Sequence, residues 1–261
     1  MARVKRYDES SISVLKGLEP VKQRPGMYTR TENPLHILQE VIDNSADEAI
    51  GGYATEISIK CHDDNSFSVS DNGRGIPVGM HPEENISTIE LVFTRLHAGG
   101  KFNKDINSSY NFSGGLHGVG VSVTNALSKK LEAKVARGGY QWKIVFENGV
   151  VVEPLTKIKR TKEVGTEIRV WPNAKYFDEL TISLAQLEKS LLTKAILLPG
   201  VVINLYDEKR KLRSSWCFND GPEEYFSSII SEDYLVVPVW QCEKYVEGKS
   251  SFHLGEGFQV L

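Results

Sequence analysis

Apolar residues recur at three- and four-residue steps through Leu35, Leu38, Ile42, Ala46 and Ala49, which predicts a helix over residues 34–50 with that side turned to a core. Asn33 can cap its start, Pro34 fits the first helical position, and Gly51-Gly52 supplies the left-handed residue on which helices end. The period then changes to two. In TEISIKC, Ile57, Ile59 and Cys61 alternate with Glu56, Ser58 and Lys60. DDNS turns the chain and FSVSD returns as a second strand, with Phe67, Val69 and, by parity, Asp71 on the covered side. Ser87 and Glu90 form a capping box for a helix whose Ile89, Val92, Phe93 and Leu96 face a core and which Gly99-Gly100 closes. Upstream, VLKGLEPVKQRPGMY predicts one brief helix, broken by Pro20 and Pro25, and then a loop.

After an apolar helix, VSVTNAL, the pattern is mostly strand. LEAKVAR and YQWKIVFE alternate around Gly138-Gly139, and VVVEPL follows Asn148-Gly149, so an antiparallel meander is expected. GTEIRVWP adds a strand with Thr166 on the face of Ile168 and Val170, and Trp142 and Trp171 read as sheet packing. TISLAQLEKSLLTKAILL is an amphipathic helix through Leu184, Leu187, Leu191 and Leu198, ended by Pro199-Gly200; VVINLYD and LRSSWCF are two more strands. Beyond Asp220-Gly221 the pattern restarts with a Pro222-led helix and the strand LVVPVW. About 40 residues is below what makes a separate core, so this reads as the opening of a second domain in a longer protein.

Composition narrows the class. A chain of 261 residues, 40% apolar, packs as one large or two smaller domains. Its net charge of -3 is not that of an autonomous duplex-binding domain, and the dense basic run KIKRTK (157–162) reads as a solvated loop. Cys61, Cys217 and Cys242 are too few and too scattered for a zinc site or a disulfide framework, which fits a reducing cytoplasm. No apolar run approaches 18 residues and no signal-like start is present, so neither a membrane span nor secretion is expected.

The predicted first long helix carries Glu40, Asn44 and Glu48 along one flank, about 6 Å per step. A solvated acidic face is the plain alternative. Asn44 argues against it, because an amide is a poor residue for a helix interior, whereas an amide oxygen one turn from a carboxylate suits Mg²⁺ beside a water-activating base. Asp71 is the second odd residue. A carboxylate in an apolar layer costs several kcal/mol unless a donor meets it, and a purine's exocyclic amine would be one; otherwise Asp71 ends its strand and caps the NGRG turn. Gly73 and Gly75 permit close approach to a flat ligand, and Ile76-Pro77 offers a rigid apolar wall. Residues 101–113, KFNKDINSSYNFS, look like a flap. They run into Gly114–Gly120 and a helix start, a ready anion site that is neither a Walker loop nor a dinucleotide fingerprint.

ExxxN at 40–44, DxGxG at 71–75 and GxxGxG at 115–120 stand in the order seen in the GHKL ATPases, which include type II topoisomerase ATPase subunits, heat-shock chaperones, sensor histidine kinases and mismatch-repair ATPases. The longer strings RPGMYT, QEVIDNSADEA, DNGRGIP, HPEE, RLHAGGKF and SGGLHGVGVSVTNALS are similar to the B subunits of type IIA topoisomerases, topoisomerase IV ahead of gyrase, from about residue 7 onward. The resemblance implies an α+β fold, a two-layer α/β sandwich with a mixed, largely antiparallel sheet covered by helices on one face. It divides the chain into an N-terminal arm (1–20), a GHKL ATPase domain (21–220) and the truncated beginning of a transducer domain (221–261).

The resemblance also assigns roles. Glu40 matches the general base, with His36 assisting or simply hydrogen-bonded in the fold; Asn44 matches the Mg²⁺ ligand, and Asp71 the residue that binds the adenine amine, helped by Thr166. Gly75 and Ile76 are expected among the nucleotide-binding residues. Gly115, Leu116, His117, Gly118, Val119, Gly120 and Val121 match the phosphate-cradling backbone, His117 by its backbone rather than its ring. Lys101 and Tyr110 match flap residues that reach ATP, while Tyr7 and Ile12 match an arm that embraces a second copy of the chain. Glu48, Arg74, Pro77 and Arg137 match the rim where aminocoumarin-type inhibitors dock. The activity implied is ATP hydrolysis, with ATP binding closing a dimer gate that drives duplex DNA passage, in a heterotetramer with the topoisomerase IV A subunit. The chain ends before the lysine-bearing loop that reaches the γ-phosphate in this family, so nucleotide binding with little turnover is expected of it. A histidine kinase would need a dimerisation helix pair before the pocket, and a clamp that binds without hydrolysing is the third reading.

Overall fold

Alternating β-branched and aromatic residues build β1 (Glu56–Cys61), β2 (Phe67–Asp71), β3 (Ser128–Arg137), β4 (Tyr140–Glu147), β5 (Val150–Arg160), β6 (Gly165–Pro172), β7 (Val202–Asp207) and β8 (Leu212–Trp216). The computed structural model describes residues 14–98 and 119–230. Among these the strands form a single sheet in the order β5-β4-β3-β6-β2-β1-β7-β8, antiparallel throughout except for β1 beside β7. Its two faces differ as the parity predicts. Ile57, Ile59, Phe67, Val69, Ile168, Val170, Leu131, Ala133 and Ile203 are buried on one face, under α2 (Leu35–Ile50), α3 (Thr88–Thr94), α4 (Gly120–Ala126) and α5 (Leu184–Leu197). The other face is polar and laced with pairs: Lys134 with Glu132 and Glu167, Lys143 with Glu132 and Glu153, Asn204 with Glu56. The fold is the expected α+β arrangement, with α6 (Pro222–Ile229) packed on α5.

The central helix forms as its ends dictate. Asn33 Oδ1 accepts from the Leu35 amide at 3.0 Å, and Gly52, at φ 74°, turns the chain out. Its buried stripe is broader than the sequence pattern indicates, taking in Ile37, Val41, Ser45 and Asp47, while Leu35 and Ala49 are only partly covered. Packing against both the sheet and α4 demands the width.

Three local expectations need correction. Pro20 does not break the first helix but sits in the opening turn of α1 (Glu19–Gln23), where its missing N–H is no loss, and Pro25 opens a 3₁₀ turn. α3 stops at Thr94, short of Leu96; its Ser87 cap accepts from the Glu90 amide at 3.3 Å, while Gly99-Gly100 lie outside the described residues. Lys157–Arg160 are exposed as expected but belong to β5, an edge strand, where long charged side chains extend into solvent without disturbing a neighbour. The strand expected at LVVPVW, and Cys242, also lie outside the described residues. Cys61 and Cys217 are free thiols, and burial pushes Cys61 up to about 11, so it is inert packing. Trp142 and Trp171 do pack on the sheet, each anchored by its indole N–H, to Arg137 O at 3.3 Å and Asp64 Oδ2 at 2.9 Å. No helix among the described residues is long and apolar enough to cross a membrane.

Asp64 braces the β1–β2 hairpin to β6. It accepts from the Ser66 amide and hydroxyl, the Trp171 indole and the Arg169 guanidinium. Burial alone would raise its pKa, but these donors bring it down to about 2. The folded-state pKa lies below the unfolded one, so the stabilisation is complete above about pH 4 and is lost as pH falls towards 2. Asp64→Asn should flatten the fall of folding stability between pH 5 and 2 in denaturant melts; an unchanged slope would remove Asp64 as a source.

Candidate active site

Helix α2 is where the separated motifs meet. Ser45, on its buried side, donates from Oγ to Asp71 Oδ2 at 2.9 Å, which ties the helix to the end of β2. One turn later Glu48 takes Arg74 in a two-pronged pair, Nη2 to Oε1 at 2.8 Å and Nε to Oε2 at 3.1 Å, and also accepts the Arg74 amide at 3.0 Å. Arg74 stacks on Tyr53, its guanidinium carbon 3.6 Å from the ring centre. One turn earlier, Glu40 packs against the first turn of α4. Glu40 and Glu48 of the ladder predicted from spacing are therefore partly buried against other segments rather than on a fully solvated face.

Asp71 forms the floor. Gly73 N donates to its Oδ1 at 3.0 Å, so it does cap the NGRG turn; the two sequence readings are not exclusive, because Oδ2 still lies in the cleft with Ser45. Burial, opposed by the bonds from Ser45 and Gly73 and reinforced by the Glu48 charge, holds its pKa above the ordinary carboxylate range. Thr166 pairs directly across from Asp71, and its hydroxyl accepts from the Ile76 amide at 3.3 Å. That bond fixes Gly75-Ile76-Pro77 as a side wall, with Gly75 backed against β3. Arg137 closes the rim by donating to Gly75 O at 2.5 Å and Arg74 O at 3.3 Å.

The Glu40 end is built by close approach. A Cβ on Gly120 would fall 2.0 Å from Glu40 Oε2, so only glycine lets the carboxylate lie against the α4 terminus. His36 points the same way, its Nδ1 2.8 Å from Thr29 Oγ1 and its Nε2 4.0 Å from Glu40 Oε1. The Asn44 amide group donates to Glu40 O at 2.6 Å, which directs its oxygen, the atom a hard cation takes, away from the helix axis. That donor set fits Mg²⁺ held with waters and phosphate oxygens better than a protein-only cage, and no cluster of three or more His, Cys, Asp and Glu fit to hold a metal occurs among the described residues. In the full-length protein, Gly120→Ala should displace Glu40 and lower turnover at least tenfold, with the melting temperature nearly unchanged, because the atom struck is the end of a flexible side chain. Equal turnover in steady-state assays would show that Glu40 needs no such contact.

Several sequence-derived residues converge here: His36, Glu40, Asn44, Glu48, Asp71, Arg74, Gly75, Ile76, Pro77, Val119, Gly120, Val121, Arg137 and Thr166 lie around the cleft or on the elements that frame it. Tyr7, Ile12, Lys101, Tyr110, Gly115, Leu116, His117 and Gly118 lie outside the described residues. Sequence reasoning passed over Ser45, Tyr53 and Gly165. Ser45 was detectable as a hydroxyl at helical steps from the apolar Leu38, Val41 and Ile42. Gly165, at φ 132°, has room for no Cβ, since one would fall 2.0 Å from Asp71 O.

Comparison with known proteins agrees with this geometry. Residues 30–175, more than half of the chain, match the family model described as histidine kinase-, DNA gyrase B- and HSP90-like ATPase. The chain is 45% identical over 95% of its length to the B subunit of DNA topoisomerase 4 from Francisella tularensis, and 47% identical over 86% of its length to the one from Escherichia coli. The B subunit of DNA gyrase from Thermotoga maritima is 47% identical over 85% of the chain. The chain spans 39%, 36% and 35% of these relatives. A solved topoisomerase IV ATP-binding domain of Francisella tularensis, in complex with a small-molecule inhibitor, superposes with a TM-score of 0.72 at 46% identity, covering 82% of this chain and 57% of that one. With the family model spanning helix α2, the Asp71 floor and the Gly120 helix start alike, the chain belongs to the histidine kinase-, DNA gyrase B- and HSP90-like ATPase family.

Proposed function

We propose that the cleft binds ATP with Mg²⁺ and hydrolyses it, as the ATPase module of a type IIA topoisomerase, the topoisomerase IV B subunit. Gyrase B is the second reading, favoured by an equal identity to the Thermotoga relative. The observation that carries the proposal is the convergence on one helix of a half-buried acceptor, Asp71 beside Ser45, and a carboxylate, Glu40, against a glycine helix start.

In this reading Asp71, ionised, accepts the adenine amine, and Thr166 and the Ile76 wall orient the ring. Asn44 ligates Mg²⁺, which when bound neutralises phosphate charge. Glu40, steadied by His36, takes the proton of the attacking water. The backbone of Gly115–Val121, with Lys101 and Tyr110, cradles the phosphates. Tyr7 and Ile12, in an arm over residues 1–20, reach a second copy of the chain. Residues 21–220 form the ATPase domain and 221–261 begin the transducer. ATP-driven closure of the dimer gate then passes duplex DNA in the complex with the A subunit, giving decatenation and relaxation in the cytoplasm. Glu48, Arg74, Pro77 and Arg137 form the rim that aminocoumarin-type inhibitors would meet.

Calorimetry with a non-hydrolysable ATP analogue tests the reading. Binding should strengthen at least tenfold with Mg²⁺, and Asn44→Ala should remove that gain while sparing Mg²⁺-free binding. No heat with any adenine nucleotide would overturn it.

A further inference from the structure

We propose that the basic end of β5 is a docking strip for the phosphate backbone of duplex nucleic acid. Lys157, Lys159, Arg160 and Lys162 fall within six positions, all exposed. None has a carboxylate at ion-pair distance among the described residues, whereas Lys134, Lys143, Lys194, Arg169 and Arg210 are each paired with one; Lys209, Lys211 and Arg213 share this lack of an ion pair. In a protein of net charge -3, four exposed cations within six positions and without carboxylate partners make a local basic patch.

Protection of a sheet edge does not account for it. Of the exposed apolar residues of β5, Val150 and Val152 lie at the opposite end and only Ile158 lies among the cations, and Pro154 together with the irregular register against β4 already discourages further pairing. The aromatic neighbours point to backbone rather than base contact. Lys157 Nζ lies 3.7 Å from the Tyr140 ring centre and 5.0 Å from that of Trp142, so its ammonium occupies the faces on which unpaired bases would stack. Arg137, Tyr140 and Arg160 are successive cross-strand partners, which carries the strip up to the cleft rim. The inference leans on the topoisomerase reading only for which duplex the strip meets.

The test is fluorescence anisotropy of a labelled mixed-sequence duplex over a salt series. Four phosphate contacts predict a slope of log affinity on log salt of roughly -3.6, hence a loss of roughly 150-fold between 50 and 200 mM. The variant Lys157→Gln/Lys159→Gln/Arg160→Gln/Lys162→Gln should abolish binding while keeping its melting temperature and its affinity for the ATP analogue. Replacing the paired cations, Lys134→Gln/Lys143→Gln, should change duplex binding less than twofold. A salt-independent wild type, a quadruple variant that still binds duplex, or one that only aggregates would each overturn the proposal, as would polyglutamate binding that duplex cannot displace. Loss of nucleotide binding with duplex binding intact would sink the ATP reading and leave this one standing.

Discussion

Glu40→Ala, assayed in the full-length protein, should slow ATP turnover by about 10²–10⁴-fold and leave nucleotide affinity within about threefold. A base that acts on the attacking water contributes to the transition state rather than to ground-state binding, so the loss belongs in kcat. Glu40→Gln separates this from packing. It fills the same space against Gly120 and removes only the basicity, so it should lose turnover as fully as alanine does. If either variant hydrolyses ATP at the wild-type rate, Glu40 is not the base.

Asp71→Asn should do the reverse to the fold and the site: melting temperature rises while affinity for adenine nucleotides drops by about 10–150-fold, the worth of one hydrogen bond to a charged acceptor. The amide keeps an acceptor for Gly73 N and a donor for Ser45, so the local bonds survive. It removes a carboxylate that burial disfavours and that repels Glu48. What it presents to an exocyclic amine is a second donor. The pH dependence follows with opposite signs. The folded-state pKa is raised, so protonation of Asp71 stabilises the fold at low pH, and that contribution fades as pH rises through the folded pKa. Nucleotide binding needs the ionised form and weakens as pH falls through the same value. Calorimetry and thermal melts on both proteins across that range check both halves; equal nucleotide affinity would remove Asp71 from the site.

The sheet and the cleft were legible to different degrees. Strands β1, β2 and β6 followed from alternation, and the inward parity of Asp71 followed with them, because a one-residue slip would expose Phe67 and Val69. The ladder Glu40–Asn44–Glu48 was legible because helical spacing is rigid. Contacts between distant segments were not. Nothing local says that Ser45 meets Asp71, that Arg74 lies on Tyr53, or that Gly165 must lack a side chain because the Asp71 carbonyl passes beneath it. The Lys157–Arg160 strand was missed for a related reason: at a sheet edge charge does not oppose strand formation, so composition alone read it as loop.

The placement of β1 and β2 between β6 and β7 has a consequence for biosynthesis. Asp71 and Ile57 pair with each other in the hairpin, but Asp71 waits for Thr166, and Ile57 for Ile203, before either has its second sheet neighbour. At ribosomal speeds the nascent chain carries an unroofed hairpin for about 5–20 s before β6 emerges. The half of the cleft made first is then held only by local bonds, and chaperone capture in that interval should be directed at α2 and its hairpin rather than at the later meander.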